Sequence, residues 1–324
     1  MRLVLGLALA VLASSAFSQA AFSQAFPSKP IRVVVPYAAG TGPDVFVRYL
    51  SERLSRNWGQ QIVVENKTGA SGFIAIEGLK NAVPDGHELL IAANGHTAMN
   101  PALYRKLPYD PEKDMVPVAL TYRTPFFIAV SATGPYQSVP ALIAAAKAKP
   151  GDVAYASPYI GSPSHLGTAA FELLSGTKML HVVFRDQNMA FVSIAGGELG
   201  WMLSTHASAV PMMKAGRIKL LAIATGTRYP SYPDIPTVAE AGGPAGLEVE
   251  GWIAFFGPRG IPAEVIRKIN TDVNVHLRSP EVIAYMRNGG WEPSPMTPDQ
   301  LAELIRKDTK RYAELVQRTG ARID

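Results

Sequence analysis

The sequence contains no cysteine. Disulfide bonds, thiolate metal sites and a lipid-bearing N-terminal cysteine are therefore excluded. Beyond the N-terminus, no apolar stretch approaches the ~20 residues that a membrane-spanning helix requires. The sequence also lacks a large excess of either charge sign, since the formal net charge is only +5. The basic residues are spread along the chain, which argues against a nucleic-acid partner, while the mild excess would assist the approach of an acidic ligand.

The first 25 residues have the pattern of an export signal. Met1 and Arg2 form a minimal positive region, residues 3–13 are continuously apolar, and small and polar residues follow. The pentapeptide AFSQA occurs twice in tandem, so cleavage fits after either Ala20 or Ala25. We favour Ala25, because the next residues lead directly into the first predicted strand. The expected product is a soluble, exported protein that is not embedded in a membrane.

Residues 30–44 form the most informative segment, a predicted buried strand followed by a glycine-rich loop and a helix start. Ile31–Val35 is mostly β-branched, and Pro36 cannot continue the strand ladder because it lacks an N–H. Gly40 and Gly42 permit positive φ and close approach of a ligand. A loop of this kind binds anions through its free N–H groups and the helix dipole. A tight turn that binds nothing would give the same pattern.

Strands alternate with helices through most of the chain, which predicts parallel sheets flanked by helices. Strands are expected at residues 31–35, 63–64, 89–92, 126–130, 153–156, 182–184, 200–203 and 220–224. Helices are expected at residues 72–80, 139–147, 165–174 and 262–277, and after a capping box at residues 297–300. Ligands of such sheets bind at the carboxyl ends of the strands. The loops at residues 37–44, 94–100 and 157–164 are therefore expected to line a site.

Several segments in the same order carry a family resemblance. They read FPSKPIRVVVPYAAGTGPD at 26–44, VVENKTGASG at 63–72, NPALYRKLPYDPEKD at 100–114, YASPYIGSPSHL at 155–166 and PDIPTVAEAG at 233–242. The chain resembles the periplasmic solute receptors of the tripartite tricarboxylate transporter family, the Bug and TctC type. The resemblance implies a receptor that captures a small carboxylate and delivers it to the permease subunits of a membrane transporter.

The resemblance also implies an α/β, type II periplasmic-binding-protein fold. Two α/β lobes would be joined by crossing strands near residues 124–128 and 248–254, with the ligand cleft between them. The first lobe is expected to comprise residues 26–126 and 250–324, and the second lobe residues 127–249. Loop backbone, hydroxyl groups and bound water would hold the ligand, and we expect a monomer without a cofactor.

Some positions depart from the family pattern and bear on the choice of ligand. Arg185 stands where the family usually has lysine, and Gly200 and Ser204 stand where it usually has aspartates. Without these aspartates, an amino group on the ligand has fewer carboxylates with which to pair. Arginine, in contrast, offers a bidentate partner for a ligand carboxylate. The departures favour a dicarboxylate or monocarboxylate, aromatic acids included, over an amino acid.

The predicted ligand-binding residues come from both lobes. In the first lobe, the anion loop supplies Tyr37, Ala39, Gly40 and Thr41, Asp44 orients the helix start, and the next strand end supplies His96 and Thr97. Across the cleft, we expect hydroxyl contacts and a counter-charge from Ser157, Ser162, Ser164 and Arg185.

Other functions and roles remain open at this point. Ser162 or Ser164 with His165 would suit a periplasmic serine hydrolase, but no GxSxG motif is present, so a hydroxyl-rich binding loop with a helix-capping role is preferred. The histidines lack metal-binding spacing, and nucleotide motifs are absent from the glycine loop. A receptor that presents its ligand to a signalling protein is a further alternative. Trp252 would either line the cleft or pack at the crossing strands.

Overall fold

A computed structural model describes residues 26–158, 160–184 and 187–323. The predicted signal segment, with its cleavage positions at Ala20 and Ala25, lies outside the described residues, as does Arg185. The strands are β1 (Ile31–Val35), β2 (Ile62–Asn66), β3 (Glu88–Ala93), β4 (Val116–Ser131), β5 (Ala154–Ser157), β6 (Leu180–Val183), β7 (Trp201–Thr205), β8 (Ile218–Ile223), β9 (Glu250–Gly257) and β10 (Glu292–Pro293).

The α-helices are α1 (Gly42–Trp58), α2 (Phe73–Lys80), α3 (Asn100–Leu103), α4 (Pro111–Asp114), α5 (Val139–Ala148), α6 (Pro163–Ser175), α7 (Gln187–Gly196), α8 (His206–Lys214), α9 (Ala263–Leu277), α10 (Pro280–Asn288) and α11 (Pro298–Thr319). A 3₁₀ turn at Ala70–Gly72 precedes α2, and a π-helical turn at Gly95–Met99 runs directly into α3. The prediction of a loop at residues 94–100 was therefore wrong, and helices α7, α8 and α10 were not predicted. No helix in the described part of the chain is long and apolar enough to cross a membrane.

One curled sheet connects all the strands, in the order β2-β1-β3-β9-β4-β7-β5-β6, with β8 and β10 also paired to β4. At one end β1 is parallel to β2 and β3, and at the other end β5 is parallel to β6 and β7. Between these ends, β4 and β9 run antiparallel to their neighbours. The predicted parallel pairing is thus confined to the two ends of the sheet, and the antiparallel strands in the centre join two α/β lobes.

Strand β4 belongs to both ends of the sheet. Its residues 116–125 pair with β9, and its residues 126–131 pair with β7 and β8. The sequence predicted only the second half as strand, because Pro117 and Pro125 lack the N–H that a ladder uses. Register shifts in the pairing with β9, one of them next to Pro117, accommodate the interrupted pattern. The predicted lobe limits stay a prediction.

Each end of the sheet has its own buried core. One core packs β1 and β3 against α1 and α9, with Ile31, Phe46 and Ile269 fully buried. The other packs β5 and β7 against α5 and α6. The C-terminal helix α11 begins with the predicted capping box, in which Thr297 and Gln300 exchange backbone and side-chain hydrogen bonds. Trp252 is buried in a third cluster, with Phe256 of β9 and Leu301 of α11.

Candidate functional site

A cleft of about 780 Å³ opens where β1, β3, β5 and β6 end, at their carboxyl termini. Ligands bind at this edge in α/β sheets. Two sets of residues face each other across the cleft. The first wall comprises Pro36, Tyr37, Gly69, Ser71, Gly72, Ala93, Asn94, Gly95, His96, Met99, Asn100, Leu103 and Tyr104. The second wall comprises Pro158, Ile160, Gly161, Pro163 and Val183. Arg322 and Ile323, from the C-terminal segment, complete the lining.

The glycine-rich loop binds a carboxylate of the protein itself, that of Asp44. The Asp44 carboxylate, at the start of α1, accepts hydrogen bonds from the Gly40 N–H at 2.8 Å, from the Asn66 amide at 2.8 Å and from Arg48 Nε at 3.0 Å. Burial opposes ionisation of Asp44, but these donors outweigh it and lower the pKa of its carboxyl group. The Gly40 N–H thus already has an acceptor.

The predicted loop residues differ in where they lie relative to the cleft. Tyr37 lines it, whereas Ala39, Gly40 and Thr41 stand outside its lining and are at least partly exposed. Contact between these three residues and a ligand stays a prediction, and a hydrogen bond from the Gly40 N–H to a ligand would require that group to leave Asp44. Asp44 does fix the loop to the helix start, because its side chain bonds back to Gly40.

His96 lies in the π-helical turn after β3 and lines the first wall. Its Nδ1 accepts the Ala93 N–H at 3.1 Å, and burial lowers the pKa of His96 to about 4. At neutral pH the ring is therefore uncharged, with its proton on Nε2. The Tyr37 ring packs edge-on against it, with centroids 5.8 Å apart. The site thus offers one oriented, neutral N–H donor.

Gly72 packs closely against the Nε2 edge of His96. A Cβ atom at residue 72 would lie 2.5 Å from Nε2, and the backbone there has a φ of +86°. Both observations require glycine. Thr97, the other predicted residue of this turn, is buried outside the cleft lining, and its Oγ1 has no hydrogen-bond partner among the described residues.

The three predicted serines of the second lobe make hydrogen bonds within the protein. Ser157 Oγ lies 2.7 Å from His181 Nε2, and Ser162 caps α6 by accepting the His165 N–H at 3.1 Å. Ser164 Oγ donates to the Leu203 carbonyl at 2.6 Å. All three serines are buried, and none is part of the cleft lining. Their contact with a ligand stays a prediction.

The two histidines behind the second wall stack on one another. The His165 and His181 ring centroids are 4.2 Å apart, and Tyr155 stacks on the other side of His181. Burial, followed by the neighbouring His181, lowers the pKa of His165 to about 4. His165 Nδ1 accepts the Gly161 N–H at 3.0 Å, so its ring does not pair with Ser162 as the hydrolase hypothesis requires. The described residues contain no group of three or more His, Asp or Glu side chains arranged to hold a metal.

Sequence reasoning missed several residues of the cleft. The hydroxyls of Ser71 and Tyr104 share one hydrogen bond of 2.9 Å on the first wall. The Asn94 amide donates to the Glu250 carbonyl of β9 at 2.9 Å. Both Ser71 and Tyr104 lie in segments with the family resemblance, which was the available signal. Trp252, left open above, packs at the crossing strands and donates to Asp308 at 2.8 Å. Arg185 lies outside the described residues.

Comparison with known proteins identifies the family of this chain. The family model described as "Tripartite tricarboxylate transporter family receptor" matches residues 46–321. A protein encoded in the tcbD–tcbE intergenic region of Pseudomonas sp. (strain P51) is 32% identical over 97% of this chain and 93% of that protein.

Two solved structures share the fold. Rpa4515 of Rhodopseudomonas palustris with adipate is 30% identical and has a TM-score of 0.81, covering 92% of this chain and 100% of that one. MatC of the same species with bound malate is 30% identical with a TM-score of 0.75, covering 90% and 100%. The chain described here belongs to the tripartite tricarboxylate transporter receptor family.

Proposed function

We propose that the protein is a periplasmic receptor that binds a small carboxylate in the cleft and delivers it to the permease subunits of a membrane transporter. Family membership supports the receptor role. Adipate in one structural neighbour and malate in another support a carboxylate ligand. The receptor would act as a monomer after removal of residues 1–25, without catalysis.

The observation that carries the proposal is the oriented N–H of His96 in a cleft that is otherwise largely apolar. A carboxylate accepts hydrogen bonds only, so it matches a neutral donor for which the described residues supply no acceptor. A hydrogen bond to a charged group contributes about 1.5–3 kcal/mol, more than a neutral one. The described residues of the second wall carry no polar side-chain group, so the rest of the ligand would be a hydrocarbon body that packs against Ile160 and Val183.

The same lining argues against an amino acid as the ligand. None of the described lining residues is acidic, so an ammonium group would be left without a counter-charge. We therefore expect carboxylates without an amino group to bind best. The sequence departures at Gly200 and Ser204 add nothing to this argument, because neither residue is part of the cleft lining.

The test is a thermal-shift screen followed by calorimetry, after carried-over ligand has been removed by unfolding and refolding. The panel contains adipate, malate, hexanoate, benzoate and aspartate. We expect His96→Phe, which keeps a planar ring but removes the N–H, to weaken carboxylate binding by about 1.5–3 kcal/mol. His206→Phe is the matched control, because His206 lies among Phe127 and Tyr232 rather than in the cleft. Failure of every carboxylate to bind would refute the proposed function.

The absence of catalysis is proposed on the same geometry and needs its own test. Ser157 and His181 form a serine–histidine contact, which is the first half of a nucleophile–base arrangement. Ser157 is buried, and among the described residues no carboxylate is seen bonded to His181. We expect no turnover of p-nitrophenyl acetate above that of the Ser157→Ala variant. Turnover that disappears in Ser157→Ala would favour a hydrolase instead.

A further inference from the structure

The C-terminal segment after α11 is held against the first wall of the cleft. The helix ends at Gly320, whose φ of 66° turns the chain. Ala321 is buried against a cluster that includes Met99 and Leu103. Ile323 donates its N–H to the Leu103 carbonyl at 2.9 Å and forms a parallel bridge with Tyr104. The segment is thus fixed to the protein by packing and by backbone pairing.

This attachment sets Arg322 between two anchored residues and into the cleft lining. Its side chain is exposed, and it makes no hydrogen bond or ion pair with another described residue. Arg322 is also the only formally charged residue among the described lining residues, since His96 is neutral. A guanidinium stays protonated at any physiological pH and can bind a carboxylate through two parallel N–H groups.

We infer that Arg322 is a ligand-binding residue that selects for a dicarboxylate with an apolar spacer. One carboxylate of the ligand would meet His96 on the first wall, the methylene chain would lie along the second wall, and the other carboxylate would meet Arg322. This inference rests on the proposed function and adds its substrate class. A monocarboxylate would leave Arg322 without a partner, so the residue would discriminate between the two classes.

The experiment compares adipate with hexanoate, which has the same six carbons and one carboxylate fewer. Calorimetry is performed on the wild type and on Arg322→Ala, Arg322→Lys and Arg318→Ala. Arg318 is the matched control, because it is an exposed arginine in the last turn of α11, outside the cleft lining. We expect Arg322→Ala to weaken adipate binding by about tenfold or more and hexanoate binding by less than about twofold. Arg322→Lys should bind adipate more tightly than Arg322→Ala but more weakly than the wild type, because lysine keeps the positive charge without the bidentate geometry.

The possible failures are distinguishable. Wild-type affinity for adipate in Arg322→Ala would overturn the inference and leave the receptor function standing. Equal losses in Arg322→Ala and Arg318→Ala would also overturn it, because they would indicate only the net charge of the protein. Equal losses for adipate and hexanoate would refute selection for dicarboxylates. A wild type that binds neither these probes nor the other carboxylates of the panel would refute the proposed function and the inference together.

Discussion

The two walls of the cleft differ in chemistry. The first wall carries hydroxyl, amide and imidazole groups on Ser71, Asn94, His96 and Tyr104. In the part of the chain that the structure describes, the second wall consists of proline, glycine, isoleucine and valine residues, which have no polar side-chain group. The hydroxyls of Ser157, Ser162 and Ser164 are buried outside the cleft lining and bond to other protein groups. Recognition of a charged group and enclosure of an apolar body are therefore divided between the two walls.

This division has a physical reason. The turn after β3 is π-helical, so backbone groups there leave the regular α-helical ladder and position His96 through the Ala93 N–H. The segment after β5 leads into α6, whose N-terminus needs a cap, and Ser162 supplies it. A hydroxyl used as a cap keeps a helix in place, but it is not aimed at the cleft. Residue type alone does not distinguish these two uses.

The largest expected effect on stability comes from breaking the buried contact between α6 and Leu103 of the first wall. Leu166 on α6 is fully buried against Leu103 and Tyr312. Leu166→Ala should lower the free energy of unfolding by about 2–5 kcal/mol, because it removes buried methyl groups and leaves a cavity. Urea unfolding measures this change. The matched control is Leu173→Ala on the same helix, since Leu173 is 48% exposed. Equal effects of the two variants would contradict the packing described here.

The next largest expected effect is a dependence of folding stability on pH, which arises from His96 on the first wall. The pKa of His96 is about 4 in the folded protein, below its ordinary value of 6.5. The unfolded chain therefore binds more protons between these two values, so stability is full above pH 6.5 and falls as the pH approaches 4. The loss from His96 amounts to about 3 kcal/mol at pH 4. Urea unfolding of the wild type and of His96→Gln across this range measures it, and identical pH dependence in both would contradict the assignment.

The smallest effect separates a structural hydroxyl from a ligand-facing one. Ser164→Ala should lower stability by about 0.5–1.5 kcal/mol, because the Leu203 carbonyl loses its donor, and should leave ligand affinity unchanged. Ser71→Ala, on the first wall, should instead weaken adipate binding and change stability little. Calorimetry and urea unfolding of both variants test the contrast. A tenfold loss of affinity in Ser164→Ala would support the original prediction that this serine binds the ligand.

Local signals predicted the parts of the fold that local chemistry determines. The β-branched run at Ile31–Val35 is a strand, and the capping box at Thr297 begins the last helix. Residues 116–125 could not be predicted as strand, because prolines cannot donate the N–H groups that strand pairing uses. These residues nevertheless pair with the neighbouring strand β9. Long-range pairing overrides local propensity there.

The same limit applies to the site. Tyr37 and His96 follow strand ends, where sequence reasoning expected ligand contacts, and both line the cleft. A helix-capping role was predicted for the loop that contains Ser162 and Ser164, but not the individual hydrogen-bond partners, which depend on how α6 begins and on β7 lying alongside. Arg322 gave no sequence signal at all. Its position depends on backbone pairing between residues about two hundred positions apart in the chain.

The central claim is that the first wall binds the carboxylate and the second wall encloses the apolar body. The most direct test is a crystal structure of the protein with bound adipate. The account predicts a carboxylate oxygen about 3 Å from His96 Nε2, with the methylene chain against Ile160 and Val183. A carboxylate held by Ser162 and Ser164, with the methylene chain against the first wall, would contradict it.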